Sequence, residues 1–150
     1  MDWVLEVNGE VVHPLKLSLD DLRKQFPVYS VLTHFQNDDR VVNATFIGAR
    51  LWDILQTAGL KPDATDKRRV MARASDSFRC LLRWHEIDPS ISDRLVLVAY
   101  EQDGQPLATK EGPLRLVVPG DERGRRYLRG LALITVLDRA ADDDENKPSE

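Results

Sequence analysis

The chain has 150 residues, of which 42% are hydrophobic and 31% charged, a composition typical of one soluble globular domain rather than a disordered chain. No apolar run approaches the length that crosses a bilayer, so no membrane partner is expected. The net charge of −4 is local, because residues 138–150 hold six acidic residues while residues 1–137 hold 19 acidic and 19 basic ones. This neutral body lacks the basic face that nucleic-acid binding usually needs.

Domain organisation and location follow from the two ends of the chain and from its cysteine content. We expect one domain over residues 1–138 and an acidic, disordered tail over residues 139–150. Cys80 is the only cysteine, which excludes an internal disulfide and a metal cluster made of cysteines alone. Residues 1–12 contain no basic region followed by an apolar stretch, so the cytoplasm is the expected location; a leader removed ahead of residue 1 would indicate the periplasm.

The first predicted elements are a strand pair and a short helix. Residues 3–7 form a strand that ends in a tight turn at Asn8-Gly9, and residues 11–17 form its antiparallel partner. Ser18 is followed three residues later by Asp21, a spacing that predicts a capping box at the start of a helix.

The next elements are two strands and the most clearly amphipathic helix. Residues 28–36 and 41–47 alternate as strands. We interpret His34, on the first of them, as a hydrogen-bonded structural residue, because no second histidine lies at ligand spacing. Residues 51–58 place their apolar side chains on one helical face, and Gly59 ends this helix.

Residues 69–74 and 78–84 are predicted to be strands, with the alternate residues from Phe78 to Trp84 on one buried face. This alternation makes Cys80 a small core residue rather than a nucleophile or a metal ligand. The neighbours His85 and Glu86 follow in a turn or short helix and are a candidate acid–base pair.

Residues 94–100 and 131–137 are apolar on both faces, as expected of central, covered strands. Between them, residues 111–131 (EGPLRLVVPGDERGRRYLRGL) predict a buried strand, a Pro-Gly turn and an arginine cluster before the last strand. Within the buried strand, Leu114 and Leu116 face one side and Arg115 the other.

This arginine-rich segment admits two interpretations. The backbone N–H groups of Gly120, Asp121 and Glu122, together with the guanidinium groups that follow, would suit an anion such as phosphate. Alternatively, the segment is a solvated hairpin loop whose arginines pair with Asp121 and Glu122.

Five segments, taken in order, resemble the oxidoreductase molybdopterin-binding domain of the sulfite oxidase superfamily over about residues 3–137. They are LSLDDL (17–22), FIGARLWDILQTAGL (46–60), ASDSF (74–78), LVAYEQDGQPL (97–107) and GPLRLVVPGD (112–121). The resemblance implies an α+β fold, rich in strands, with a few short helices. It also implies a pterin cofactor or another anionic small molecule as ligand, and a redox or protein partner.

In that family, basic side chains and backbone N–H groups around the loop that matches residues 112–129 hold the terminal phosphate of molybdopterin. Arg115, Gly120, Arg125, Arg126 and Arg129 occupy the positions that the resemblance implies for this role.

In active family members a cysteine thiolate, expected here near residues 33–37, ligates molybdenum. No cysteine lies between Gln25 and Ala49, and neither His34 nor Gln36 supplies a soft, charged sulfur donor. Cys80 lies after the helix of residues 51–58 and does not match the ligand position. The sequence therefore argues against a thiolate-bound molybdenum centre.

Three functions remain open from the sequence. The first is a molybdopterin-binding, oxidoreductase-like domain whose redox activity would require a partner or an unusual metal shell. The second is a non-enzymatic module that uses the cofactor cleft for another anionic ligand or for a protein partner. The third is an enzyme that works without a metal through His85 and Glu86.

Overall fold

The computed structural model describes residues 3–37, 39–61, 68–107, 112–121 and 126–137. These ranges contain strands, which predominate, and short helices. The strands are β1 (Trp3–Gly9), β2 (Leu15–Ser18), β3 (Val28–Asn37), β4 (Arg40–Arg50), β5 (Arg69–Ala74), β6 (Arg79–Arg83), β7 (Leu97–Gln102), β8 (Gln105–Pro106), β9 (Arg115–Val117) and β10 (Leu131–Leu137). The helices are α1 (Leu19–Lys24), α2 (Leu51–Ala58) and α3 (Trp84–Ile87).

The strands form two five-stranded sheets, which confirms the α+β class. The first sheet has the order β2-β1-β10-β5-β6, and the second has the order β3-β4-β7-β8 with β9 also paired to β7. The pair β1–β10 is parallel and the other strand pairs are antiparallel. The last strand therefore lies beside the first, and the two chain ends of the described domain meet in one sheet.

The main core lies between the two sheets. Side chains of β1, β5 and β10 meet side chains of β7 and β9 there, and the apolar faces of α1 and α2 close the sides. A second, smaller core lies on the opposite face of the second sheet, built around Phe35, Phe46 and Tyr127. Within the described ranges, no helix is long and apolar enough to cross a membrane.

The local predictions for the helices are confirmed. The Asp21 N–H donates to Ser18 Oγ at 3.0 Å, and the Ser18 N–H donates to Asp21 Oδ2 at 2.9 Å, which is the expected capping box. Helix α2 buries Leu51, Ile54, Leu55 and Ala58 on one face and ends at Gly59.

The predicted tight turn at Asn8-Gly9 is wrong, because β1 continues through Gly9 and β2 begins only at Leu15. Gly9 is required for close packing instead: a Cβ on this residue would lie 2.2 Å from the carbonyl oxygen of Val136. Its φ of +96° also falls where side chains are strained. The parallel pairing of β1 with β10 decided the backbone geometry at Gly9, and no local sequence pattern indicates such a pairing.

Two other predictions are wrong for tertiary reasons. Phe78 is 70% exposed and precedes β6, and Trp84 begins α3 rather than ending a strand. The hairpin expected at the arginine-rich segment is limited to an isolated antiparallel bridge between residues 115 and 129, because β9 belongs to the second sheet and β10 to the first. The expected pairing of an arginine with Asp121 is observed for Arg126. The segment therefore crosses from one layer to the other, and this crossing brings its arginines into different environments.

Candidate functional site

Strand β9 is buried on both faces. Leu116 packs into the main core and Val117 into the second core, as the alternation predicted. Arg115 shares the face of Val117 and is only 6% exposed. A guanidinium group is thus carried into the interior by a strand whose other side chains are apolar.

Aromatic rings surround the buried guanidinium of Arg115. Its central carbon lies 5.4 Å from the ring centre of Phe35, 5.7 Å from that of Phe46 and 6.0 Å from that of Tyr127. Its Nε donates to the carbonyl oxygen of Tyr127 at 3.1 Å. Among the described residues no carboxylate pairs with it. Burial, and then the charge of Arg129, lower the pKa of Arg115 to about 10.

A cavity of about 360 Å³ opens beside Arg115. Arg129 reaches it because residues 129 and 115 form an isolated antiparallel bridge, and Arg40 reaches it from the start of β4. Its lining residues are Arg40, Val42, Gln102, Leu107, Gly112, Leu114, Arg115, Arg129 and Gly130. Among the described residues, three arginines and no acidic residue line the cavity, so it is suited to an anion. We call it the arginine pocket.

Arg126 has a different environment from the arginine pocket. It donates to Asp121 through Nε at 2.7 Å and Nη2 at 2.8 Å, and to Glu86 through Nη1 at 2.8 Å and Nη2 at 2.7 Å. Its Nη1 also donates to the carbonyl oxygen of Leu81 at 3.2 Å. A guanidinium group has five N–H donors, so these five hydrogen bonds use all of them.

A second arginine completes this network, which we call the clamp: Glu86, Arg94, Asp121 and Arg126. Arg94 Nη1 lies 2.9 Å from Glu86 Oε2 and 3.4 Å from Asp121 Oδ1. Burial raises the pKa of Glu86, but hydrogen bonds from Arg126 and from the Arg83 N–H, with the charges of both clamp arginines, lower it to about 2. The clamp contains two charges of each sign and is neutral by itself.

The remaining candidates from the sequence lie outside the arginine pocket, either beside the clamp or outside the described residues. Gly120 packs against Arg94 of the clamp, where an added Cβ would lie 3.3 Å from Arg94 Nε. The Asp121 N–H already donates to the carbonyl of Val118 at 3.2 Å, so it is not an open donor for an anion. Arg125 and Glu122 lie outside the described residues.

The segment in which a metal-ligand cysteine was expected presents its inward side chains to other protein groups. Thr33 Oγ1 donates to the carbonyl of Ala44 at 3.1 Å, and Phe35 stacks on Tyr127 with ring centres 3.9 Å apart. His34, on the exposed side, is hydrogen-bonded through Nδ1 to Asn43 Oδ1, as predicted. Within the described ranges, no group of three or more His, Cys, Asp or Glu residues is placed to hold a metal ion. These residues do not fit a thiolate-bound metal.

Cys80 and the His85–Glu86 pair are poorly suited to chemistry. Cys80 is partly buried and packs against the main core on β6, and burial raises the pKa of its thiol to about 12, so the thiol is a poor nucleophile. Glu86 is held by the clamp, and a carboxylate with a pKa of about 2 is a weak general base at neutral pH.

Arg40 is the arginine of the pocket that the sequence did not indicate. It lies about 75 positions before Arg115, at the end of the β3–β4 hairpin, and only the packing of β4 beside β7 brings it to the cavity. An arginine next to a turn is ordinary in a sequence. A local pattern therefore could not distinguish it from a solvated side chain.

Residues 1–144 match the family described as "Oxidoreductase molybdopterin binding domain". The chain is 32% identical over 138 residues to the uncharacterized oxidoreductase YuiH of Bacillus subtilis, covering 86% of this chain and 64% of that one. It is 34% identical over 110 residues to mitochondrial sulfite oxidase of Drosophila melanogaster, covering 68% of this chain and 18% of the relative. It is also 26% identical over 153 residues to nitrate reductase [NADH] 1 of Oryza sativa subsp. japonica, covering 82% and 16%.

Among solved structures, the sulfane dehydrogenase SoxCD from Paracoccus pantotrophus is similar, with a TM-score of 0.75. The two chains are 23% identical, and the match covers 91% of this chain and 38% of that one. This likeness shows a shared fold. The chain spans less than a fifth of the length of the sulfite oxidase and of the nitrate reductase that it matches.

Proposed function

Because this chain belongs to the oxidoreductase molybdopterin binding domain family and has its sulfite oxidase-type fold, we propose that it binds molybdopterin through the arginine pocket. The observation that carries this proposal is the buried guanidinium of Arg115 at the wall of a cavity, which has no carboxylate partner in the part of the chain that the structure describes. A cation taken out of water without a partner is unfavourable unless an anion joins it. The phosphate of molybdopterin has the charge and the acceptor oxygens that such a site needs.

The pocket residues would divide the work of binding. Arg115 would supply a charge-assisted donor from a fixed position, since the rings of Phe35, Phe46 and Tyr127 hold its guanidinium. Arg129 and Arg40, which are exposed, would close over the phosphate from the open side. In relatives that carry molybdenum, the bound cofactor supplies a redox centre for oxygen-atom transfer. Any redox activity here would need a protein partner to exchange electrons.

We propose that this chain holds the pterin without a thiolate-bound metal. The inward positions of the expected ligand segment are engaged by Thr33 and Phe35, and Cys80 lies on a strand of the other sheet. The same observation favours a second candidate function, a non-enzymatic module that binds another phosphate-bearing or carboxylate-bearing ligand in the arginine pocket.

Purification from a host that makes the cofactor tests the proposal. We expect pterin fluorescence after oxidation of the purified protein, and less than stoichiometric molybdenum by elemental analysis. Arg129→Met should lose the pterin, whereas Arg83→Met, which replaces another exposed arginine, on β6 and outside the pocket, should retain it.

Three outcomes would change the interpretation. A wild-type protein without pterin would contradict molybdopterin binding, and a phosphate titration followed at the Gly112 and Gly130 amides would then test the second candidate. A stoichiometric molybdenum content in the wild type would contradict the absence of a metal centre. Pterin retained equally by Arg129→Met and Arg83→Met would place the cofactor elsewhere.

A further inference from the structure

We infer that Glu86, Asp121 and Arg126 are positioning residues, which set the shape of the arginine pocket without contacting its ligand. The inference rests on the proposed function. Its first support is the saturation of Arg126, whose five N–H donors all have protein acceptors. A phosphate could bind this guanidinium only by displacing Asp121 or Glu86.

The second support is where the clamp is attached. Asp121 and Arg126 lie at the two ends of the segment that follows β9, and Glu86 lies in α3, after β6 of the first sheet. The hydrogen bonds of Arg126 therefore fasten the crossing segment to the first sheet. This attachment is independent of the bonds that hold β9 in the second sheet.

The third support is the short path from the clamp to the pocket. Tyr127 follows Arg126 directly, and its carbonyl oxygen accepts the hydrogen bond from Arg115 Nε. Beyond it, the Leu116 N–H donates to the Leu128 carbonyl at 2.9 Å and the Gly130 N–H donates to the Leu114 carbonyl at 2.9 Å. A displacement at residue 126 would therefore be passed to both Arg115 and Arg129.

The distribution of charge supports the same division. The four clamp residues pair with one another, whereas among the described residues the arginines of the pocket have no carboxylate partner. Paired arginines are neutralised and hold structure, while unpaired ones keep their charge for a ligand. The clamp thus keeps Glu86 and Asp121 away from the pocket, where they would compete with an anion.

Glu86→Gln distinguishes a positioning role of Arg126 from direct contact with the ligand, because the two roles predict different changes in the affinity for phosphate. If Arg126 bound the ligand, neutralising Glu86 would release its donors, and the affinity for inorganic phosphate would rise or stay unchanged. If the clamp positions the pocket, the affinity should fall roughly three- to tenfold. The affinity is measured on the folded protein by NMR titration of the Gly112 and Gly130 amides, so a loss of global stability alone would not change it.

The matched control is Asp53→Asn. It breaks the Arg50–Asp53 pair, whose side chains are 26% and 19% exposed, close to the 22% and 18% of Arg126 and Asp121. We expect its phosphate affinity to stay within about twofold of the wild type. If Glu86→Gln does not fold, Asp121→Asn replaces it, because that variant keeps the bond between Arg126 and Glu86. Unchanged or tighter phosphate binding in the folded clamp variant would overturn the inference.

Amide hydrogen exchange in the ligand-free protein separates this inference from the proposed function. If the wild type binds neither phosphate nor pterin, the proposed function fails. The exchange rate of the Gly130 amide then still tests whether the clamp holds the pocket backbone in place. We expect Glu86→Gln to accelerate this exchange by about tenfold or more and Asp53→Asn to leave it unchanged. Equal exchange rates in both variants would overturn the inference that the clamp positions the pocket, even if the wild type binds phosphate.

Discussion

Replacing Arg115 by methionine should stabilise the ligand-free protein. The pKa of Arg115 falls from an ordinary 12.5 to about 10, so at pH 7 the charged side chain carries an unfavourable burial free energy of about 3 kcal/mol. Methionine removes that charge and keeps most of the apolar stem in place. It also removes the hydrogen bond to the Tyr127 carbonyl, worth about 1 kcal/mol, and the cation–π contacts, worth about 1 kcal/mol. The net expectation is a gain of about 1 kcal/mol.

The same substitution at Arg126 should destabilise the ligand-free protein. Arg126→Met leaves Glu86 and Asp121 with Arg94 as their remaining arginine partner, and removing one partner from a buried ion pair is destabilising by about 3 kcal/mol or more. The two variants make the same substitution, at an arginine without a described carboxylate partner and at an arginine paired with two carboxylates. This pair of variants therefore tests the distinction between pocket and clamp directly.

Urea unfolding at pH 7 in phosphate-free buffer, followed by tryptophan fluorescence, measures both changes. Added phosphate should raise the unfolding free energy of the wild type and leave that of Arg115→Met unchanged, because only the wild type keeps the buried cation. If Arg115→Met were destabilised by 2 kcal/mol or more in the absence of phosphate, as an order-of-magnitude threshold, the description of Arg115 as an unpaired buried charge would be refuted.

Three further outcomes follow from the structure. The pKa of Glu86 is lowered to about 2. Its contribution of about 1–3 kcal/mol to the free energy of unfolding should therefore be present above pH 4.5 and lost as the pH falls from 4.5 to 2. Urea unfolding at pH 6 and pH 3 should show this loss in the wild type and a smaller loss in Glu86→Gln. The thiol of Cys80, with its pKa raised to about 12, should react with iodoacetamide far more slowly in the native protein than in urea, and similar rates would contradict its burial. Gly9→Ala should destabilise the protein by about 3 kcal/mol or more, because the added Cβ would overlap the Val136 carbonyl. Gly104 has open space around it, so Gly104→Ala should cost about 1 kcal/mol. Equal urea midpoints for the two variants would contradict the close packing of β1 and β10.

The sequence alone determined the features whose causes are local. The Ser18–Asp21 spacing predicted a capping box, and the apolar face of residues 51–58 predicted α2, because both depend on groups within one or two helical turns. Alternation in residues 114–117 likewise placed Arg115 opposite Leu116. The five ordered segments also indicated the family, because a match of short stretches in order can be read directly from the sequence.

Only the tertiary structure decided which of the described arginines pair with a carboxylate. Arg126 lies 40 positions after Glu86 in the sequence, and the chain crosses between the sheets before they meet. Arg40 joins the pocket from yet another strand. A charge in the sequence has no fixed partner, because its pairing and its burial depend on what the packed sheets bring within about 3 Å. The sequence therefore left an anion site and a salt-bridged loop open as alternatives, and the fold assigned Arg115 to the pocket and Arg126 to the clamp.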